Sequence, residues 1–133
     1  MKLTSSAVVL VLLAVAGCGG GDGSFTQDYN RAVRPLRELG SGLGTQPRAF
    51  ARLAQRTEQT RANLAKLDAP DDAQDEFHAL LGRLDEVTMD LRGVARAERS
   101  RDVVQQRRAA RALVRSSTAV QQAEKALKDA VEG

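Results

Sequence analysis

The chain has a single cysteine, Cys18, and a single histidine, His78, so it holds neither an intramolecular disulfide nor a Cys/His zinc set. Haem attachment through Cys-x-x-Cys-His is excluded for the same reason. Aromatic residues are nearly missing: Phe25, Tyr29, Phe50 and Phe77 are the only four in 133 residues, and there is no tryptophan. No ring lies near the most basic stretch to stack on bases, which argues against nucleic acid as a partner. The longest apolar run, residues 7–16, has ten residues, about half of what a bilayer-spanning helix requires. No strand-like alternation of apolar and polar residues occurs, and neither glycine nor proline interrupts the chain between Val94 and Gly133. These absences leave an all-α chain.

The amino-terminal segment carries one lysine, Lys2, then Thr4-Ser5-Ser6, the apolar run 7–16 and small residues at its exit. That order is the layout of a secretory signal peptide. Its last four residues, Val15-Ala16-Gly17-Cys18, resemble the lipobox of bacterial lipoproteins. The resemblance implies cleavage after Gly17 and a diacylglycerol thioether on Cys18, with membrane lipid as the first partner. The address it implies is the cell membrane, on the extracytoplasmic side. The chain then divides into a signal peptide (1–17), a lipidated cysteine with a flexible tether (18–24) and a helical domain (25–133). Six tether residues, 19–24, span roughly 12–15 Å as random coil. The body is similar to small lipoproteins of high-GC bacteria through residues 64–70 (Leu-Ala-Lys-Leu-Asp-Ala-Pro), followed by Phe77-His78. Of these features only the lipobox carries a functional implication.

Four helical stripes follow the tether. Phe25, Tyr29, Ala32, Leu36 and Leu39 recur at spacings of four and three, and the stripe keeps its phase across Pro35. One kinked helix is therefore expected, ended by Gly40-Ser41-Gly42-Leu43-Gly44. A second helix starts between Thr45 and Pro47, carries Phe50, Leu53, Thr57, Thr60, Leu64 and Leu67, and ends at Ala69-Pro70. The third opens on Asp71, Asp72, Asp75 and Glu76, acids that the amino-terminal end of a helix dipole favours. Its stripe is the strongest: Phe77, Leu80 or Leu81, Leu84, Val87, Leu91 and Val94. A turn falls between Ala97 and Asp102, with Ser100 as the candidate cap. The fourth helix carries Val103, Ala110, Leu113, Ser117, Val120, Leu127 and Val131, with Gln106 and Glu124 weakening the seam. Short connections make these a small antiparallel three- or four-helix bundle.

Charge is segregated along the chain. Residues 68–90 hold eight acids against Arg83, whereas residues 92–115 hold eight arginines against Glu98 and Asp102. If Leu64 stands level with Gln74, and Phe50 with Thr88, the third helix outruns the second. Arg92, Arg96, Arg99, Arg101, Arg107 and Arg108 then gather at the end far from the lipid, joined by Arg34, Arg37 and Arg48. Such a tip suits an anionic cell-wall polymer or an acidic protein surface. A solvated helix face is the simpler reading of the same residues. No catalytic group, metal site or cofactor site is expected: His78 borders the core stripe, Met89 lies about 16 Å from it, and the acid pairs sit on charged faces. A non-enzymatic, envelope-associated module is the first reading. A small-ligand carrier with a cavity at Thr57, Thr60, Gln106 and Ser117 is the alternative.

Overall fold

The computed structural model describes residues 23–41 and 46–133. These residues form four α-helices and no strand: α1 (Gly23–Ser41), α2 (Pro47–Leu64), α3 (Gln74–Ser100) and α4 (Val103–Glu132). A single 3-10 turn, Asp71–Ala73, leads into α3. The signal peptide, Cys18 and the first tether residues lie outside the described residues. Gly23 and Ser24, read as tether from sequence, already belong to α1.

α1 runs through Pro35 as one helix, and Pro35 is exposed. A proline there points its ring and missing donor at solvent rather than at the core. Phe25, Tyr29, Val33 and Leu36 are buried, while Ala32, placed in the stripe from sequence, is only half-buried. α2 opens with Pro47 in its first turn, where the missing N–H has no partner to lose. It buries Leu53, Ala54, Thr57, Thr60 and Leu64. The helix stops at Leu64, short of the expected Ala69. Ala65 N–H still reaches the Arg61 carbonyl, and residues 66 and 67 then close with i→i+3 bonds, such as Leu67 N–H to the Leu64 carbonyl at 2.9 Å. The residue before a proline avoids the helical region, so the chain is already out of helix as it reaches Pro70. Gln74 Nε2 then donates to the Ala69 carbonyl at 2.7 Å, tying this connection to the start of α3.

α3 carries the core as its sequence stripe requires: Phe77, Leu80, Leu81, Leu84, Val87, Leu91 and Val94 are all buried. It lies between α2 and α4, and α1 packs against α2. The helices run alternately up and down. Phe25, early in α1, meets Phe77, early in α3, edge to face with ring centroids 5.4 Å apart. Tyr29, also early in α1, reaches Glu124 near the end of α4.

The α3–α4 turn is tight. The Ser100 hydroxyl donates back to the Ala97 carbonyl at 2.7 Å, and Arg101 takes the left-handed conformation with φ 58°. That position, just past a helix end, usually falls to glycine. The cap of α4 is Asp102 rather than Ser100: its Oδ1 accepts from the N–H groups of Val104 (2.9 Å) and Gln105 (3.3 Å). Val103 and Ala110, assigned to the seam from sequence, are exposed. The buried face of α4 is Leu113, Ser116, Ser117, Val120, Glu124 and Leu127.

Candidate functional site

Two inter-helix ion pairs mark the register of α2 against α3. Arg61 Nε lies 3.2 Å from Asp85 Oδ1, and Arg92 Nη2 lies 2.5 Å from Glu58 Oε2. The level assumed from sequence would place Glu58 and Arg61 opposite residues 80 and 77. The observed partners lie about two to three turns further along α3. The correction matters for the arginines. α2 reaches the far end of α3, so Arg92, Arg96 and Arg99 stand beside α2 and not beyond it.

The three recur at i, i+4 and i+7, a single helical face with rises of about 6 and 10.5 Å. Together with Ala51, Gln55 and Glu58 of α2, and with Ala95 between them, they line an open groove of about 530 Å³. Ala51 and Ala95 line it with small side chains, and the Glu58–Arg92 pair is part of its wall.

Arg101 sits on the turn, and Arg107 and Arg108 are exposed near the start of α4. Arg111 and Arg115 continue that exposed face. All six arginines named from sequence are therefore exposed near one end of the helices: three in the α2–α3 groove, one on the turn and two on the outer side of α4. Among the described residues no acid lies within ion-pair distance of Arg96, Arg99, Arg101, Arg107, Arg108, Arg111 or Arg115. Of the residues expected to join them from α1, Arg34 is exposed and Arg37 is half-buried. Guanidinium groups in such an array present planar, paired donors to carboxylate or phosphate.

Of the hydroxyls of the proposed cavity, that of Thr57 is used inside its own helix, as are those of two other buried residues, Thr88 and Ser116. Thr57 Oγ1 donates to the Leu53 carbonyl at 2.7 Å, as Thr88 does to Leu84 and Ser116 to Leu113. Ser117 Oγ is buried with no hydrogen-bond partner. Gln106 is only half-buried, and it lies 11 residues from Ser117, about 16 Å along α4. The structure does not bring the four together. His78 is exposed, Met89 is 69% exposed, and no group of three His, Cys, Asp or Glu among the described residues is placed to hold a metal.

A second polar constellation was not anticipated. Glu124 is 1% exposed on the apolar seam of α4, and the Tyr29 hydroxyl donates to its Oε2 at 2.5 Å. Burial holds the Tyr29 hydroxyl well above its ordinary pKa of 10.0, and the Glu124 charge and hydrogen bond push it further, while the Arg37 guanidinium opposes them. The signal available in sequence was an acid on a core stripe, together with the only tyrosine of the chain on another.

The fold is thus an all-α bundle of four helices with an arginine-rich end. The chain matches no protein-family model, no curated protein and no solved structure. No helix among the described residues is long and apolar enough to cross a membrane.

Proposed function

We propose that this protein is a lipid-anchored, non-enzymatic helical module. Cys18 holds it on the extracytoplasmic side of the cell membrane, and its arginine-rich end binds an anionic partner, a cell-wall polymer or an acidic protein surface. The anchoring half rests on the signal-peptide layout and on Val15-Ala16-Gly17-Cys18. Two or more acyl chains give stable attachment.

The observation that carries the binding half is charge without compensation. Residues 92–115 expose eight arginines, only Arg92 has an acid within ion-pair distance among the described residues, and residues 103–123 contain no acid at all. Concentrated like charge works against the folded state, so its retention on one end favours a role outside the fold.

The test has two arms. Cys18→Ser should release the protein from membranes or leave it unprocessed; a processed mutant that still fractionates with membranes removes the anchor. The triple change Arg101→Glu, Arg107→Glu and Arg108→Glu should keep the melting temperature and lose retention on purified cell-wall material at low salt. Full retention by a folded triple mutant rules out the anionic-partner reading.

A further inference from the structure

We propose that the groove between α2 and α3 binds a phosphate monoester of a sugar or other polyol, with Arg96 and Arg99 on the phosphate and Glu58 on a hydroxyl of the body it carries. The assignment rests on the reading that the arginine-rich end binds anions, and it gives the groove a small ligand of its own. The two walls share one spacing. On α2, Ala51, Gln55 and Glu58 stand at i, i+4 and i+7, as Arg92, Arg96 and Arg99 do on α3. With the helices antiparallel and Glu58 beside Arg92, Gln55 comes level with Arg96 and Ala51 with Arg99, to within about one residue.

Only the first of these three rungs is neutral. Glu58 Oε2 takes Arg92 at 2.5 Å, whereas Arg96 stands level with an uncharged amide and Arg99 with a methyl group. Among the described residues neither Arg96 nor Arg99 has an acid within ion-pair distance. They lie three residues apart, where side chains of one helix are neighbours with about 5–6 Å between β-carbons. Two guanidinium groups so placed need more acceptor oxygens than a carboxylate has, since a single fork already occupies both of its oxygens. A phosphate monoester offers three terminal oxygens and about two negative charges at neutral pH. The exposed amide of Gln55 is at hand to donate a further N–H.

Glu58 decides what the phosphate is attached to. It lies about one helical turn further along the groove than Arg96, and Arg92 engages its Oε2, leaving Oε1 to accept from a hydroxyl. A second phosphate at that distance would meet a carboxylate, so an unbroken run of phosphates is disfavoured there. A hydroxylated body of about one turn in length bridges the two ends. Ala95, between the arginines, and Ala51 offer methyl surface to its carbon atoms, and a volume of about 530 Å³ is in the range of small-molecule sites. Every polar group of the groove is exposed, so the affinity is modest and salt-sensitive. Arg101, Arg107 and Arg108 are not among the lining residues, so the groove and the anionic partner can be tested apart.

Nuclear magnetic resonance titration of the isotope-labelled full chain in mild detergent tests this, with the anomeric phosphate ester of glucose as probe. The expected result is saturable shifts at Gln55, Arg96 and Arg99 in the millimolar range, with inorganic phosphate and succinate binding several-fold more weakly. Ala51→Met fills the groove without changing its charge. It should abolish these shifts while leaving the melting temperature, and retention on cell-wall material, as in the wild type. Arg96→Gln combined with Arg99→Gln should abolish them as well. Glu58→Gln should remove the preference for the glucose ester over inorganic phosphate. The proposal is overturned by the absence of saturable shifts at the groove, by shifts that survive Ala51→Met, by a preference that survives Glu58→Gln, or by succinate binding as tightly as the glucose ester. If the Arg101, Arg107 and Arg108 triple mutant loses retention alongside any of those results, the anionic partner stands without the groove. Full retention by that mutant alongside groove binding removes the partner and leaves the groove.

Discussion

The Tyr29 hydroxyl donates to the Glu124 carboxylate across 95 positions of sequence, joining the first helix to the last inside the core. α1 and α4 are thereby held by a polar contact at a level where their neighbours pack through hydrocarbon. Removing the hydroxyl leaves a buried acid short of a donor. Tyr29→Phe should therefore destabilise the protein by about 1–3 kcal/mol, read as a lowered midpoint in urea.

The same pair predicts a pH dependence. Tyr29 is the only tyrosine, so phenolate absorbance reports on it alone. Its pKa in the folded protein lies well above 10.0, the value in an unfolded chain. Its contribution to stability is complete below about pH 10 and is lost as pH rises from there towards the folded value, because the unfolded chain releases the proton first. Phenolate should accordingly appear together with loss of helical circular dichroism in an alkaline titration. Phenolate forming in the fully helical protein near pH 10 would show that Tyr29 is not held as described.

Leu84 is buried at the centre of α3. Leu84→Ala should cost about 2–5 kcal/mol, a large share of the roughly 5–15 kcal/mol that stabilises a domain of this kind. Thermal denaturation reads the loss, and an unchanged melting temperature would mean that this face is not packed.

Asp102 caps α4 through two backbone N–H groups. Asp102→Ala should lower stability by about 0.5–2 kcal/mol, whereas Ser100→Ala, at the position that the sequence suggested as the cap, should cost less. Equal losses for the two would place the boundary of α4 elsewhere.

The register is open to a double-mutant cycle on Glu58 and Arg92. Both side chains are half or more exposed, so the coupling should be small, about 0.2–1 kcal/mol at low salt, and should fade at high salt. A Glu58→Arg, Arg92→Glu exchange should retain most of it. Zero coupling at low salt would return α2 to the shorter register.

Much of this arrangement was legible from spacing. The stripe Phe77, Leu84, Leu91 on α3 and the turn before Asp102 follow from three-four periodicity and from one short polar run. Periodicity determines which face of a helix is buried but not its height against a neighbour. That height depends on residues 65–73, which leave α2 five residues before the expected end and return through a 3-10 turn. The level of Arg92 beside Glu58 was therefore out of reach, and with it the groove. Exposure of the arginines was legible, since eight guanidinium groups in 24 residues cannot be buried. Glu124 read as a flaw in the α4 stripe because its partner lies on another helix far away in sequence. The face of α1 was misjudged by one residue, Val33 for Ala32, for a simple reason: both are small, apolar and adjacent.

Unequal helix lengths give the bundle a mechanical direction. α3 and α4 are 27 and 30 residues long, joined by a tight turn, whereas α1 has 19 and enters from the amino-terminal side. A pull at Gly23 loads α1 before anything else, and the side chains that resist it include Phe25 on Phe77, Tyr29 on Glu124, and buried Val33 and Leu36. The Tyr29–Glu124 hydrogen bond is one polar strut that would carry such tension into α4. The first helix is therefore the element that tension from the amino-terminal side would meet first.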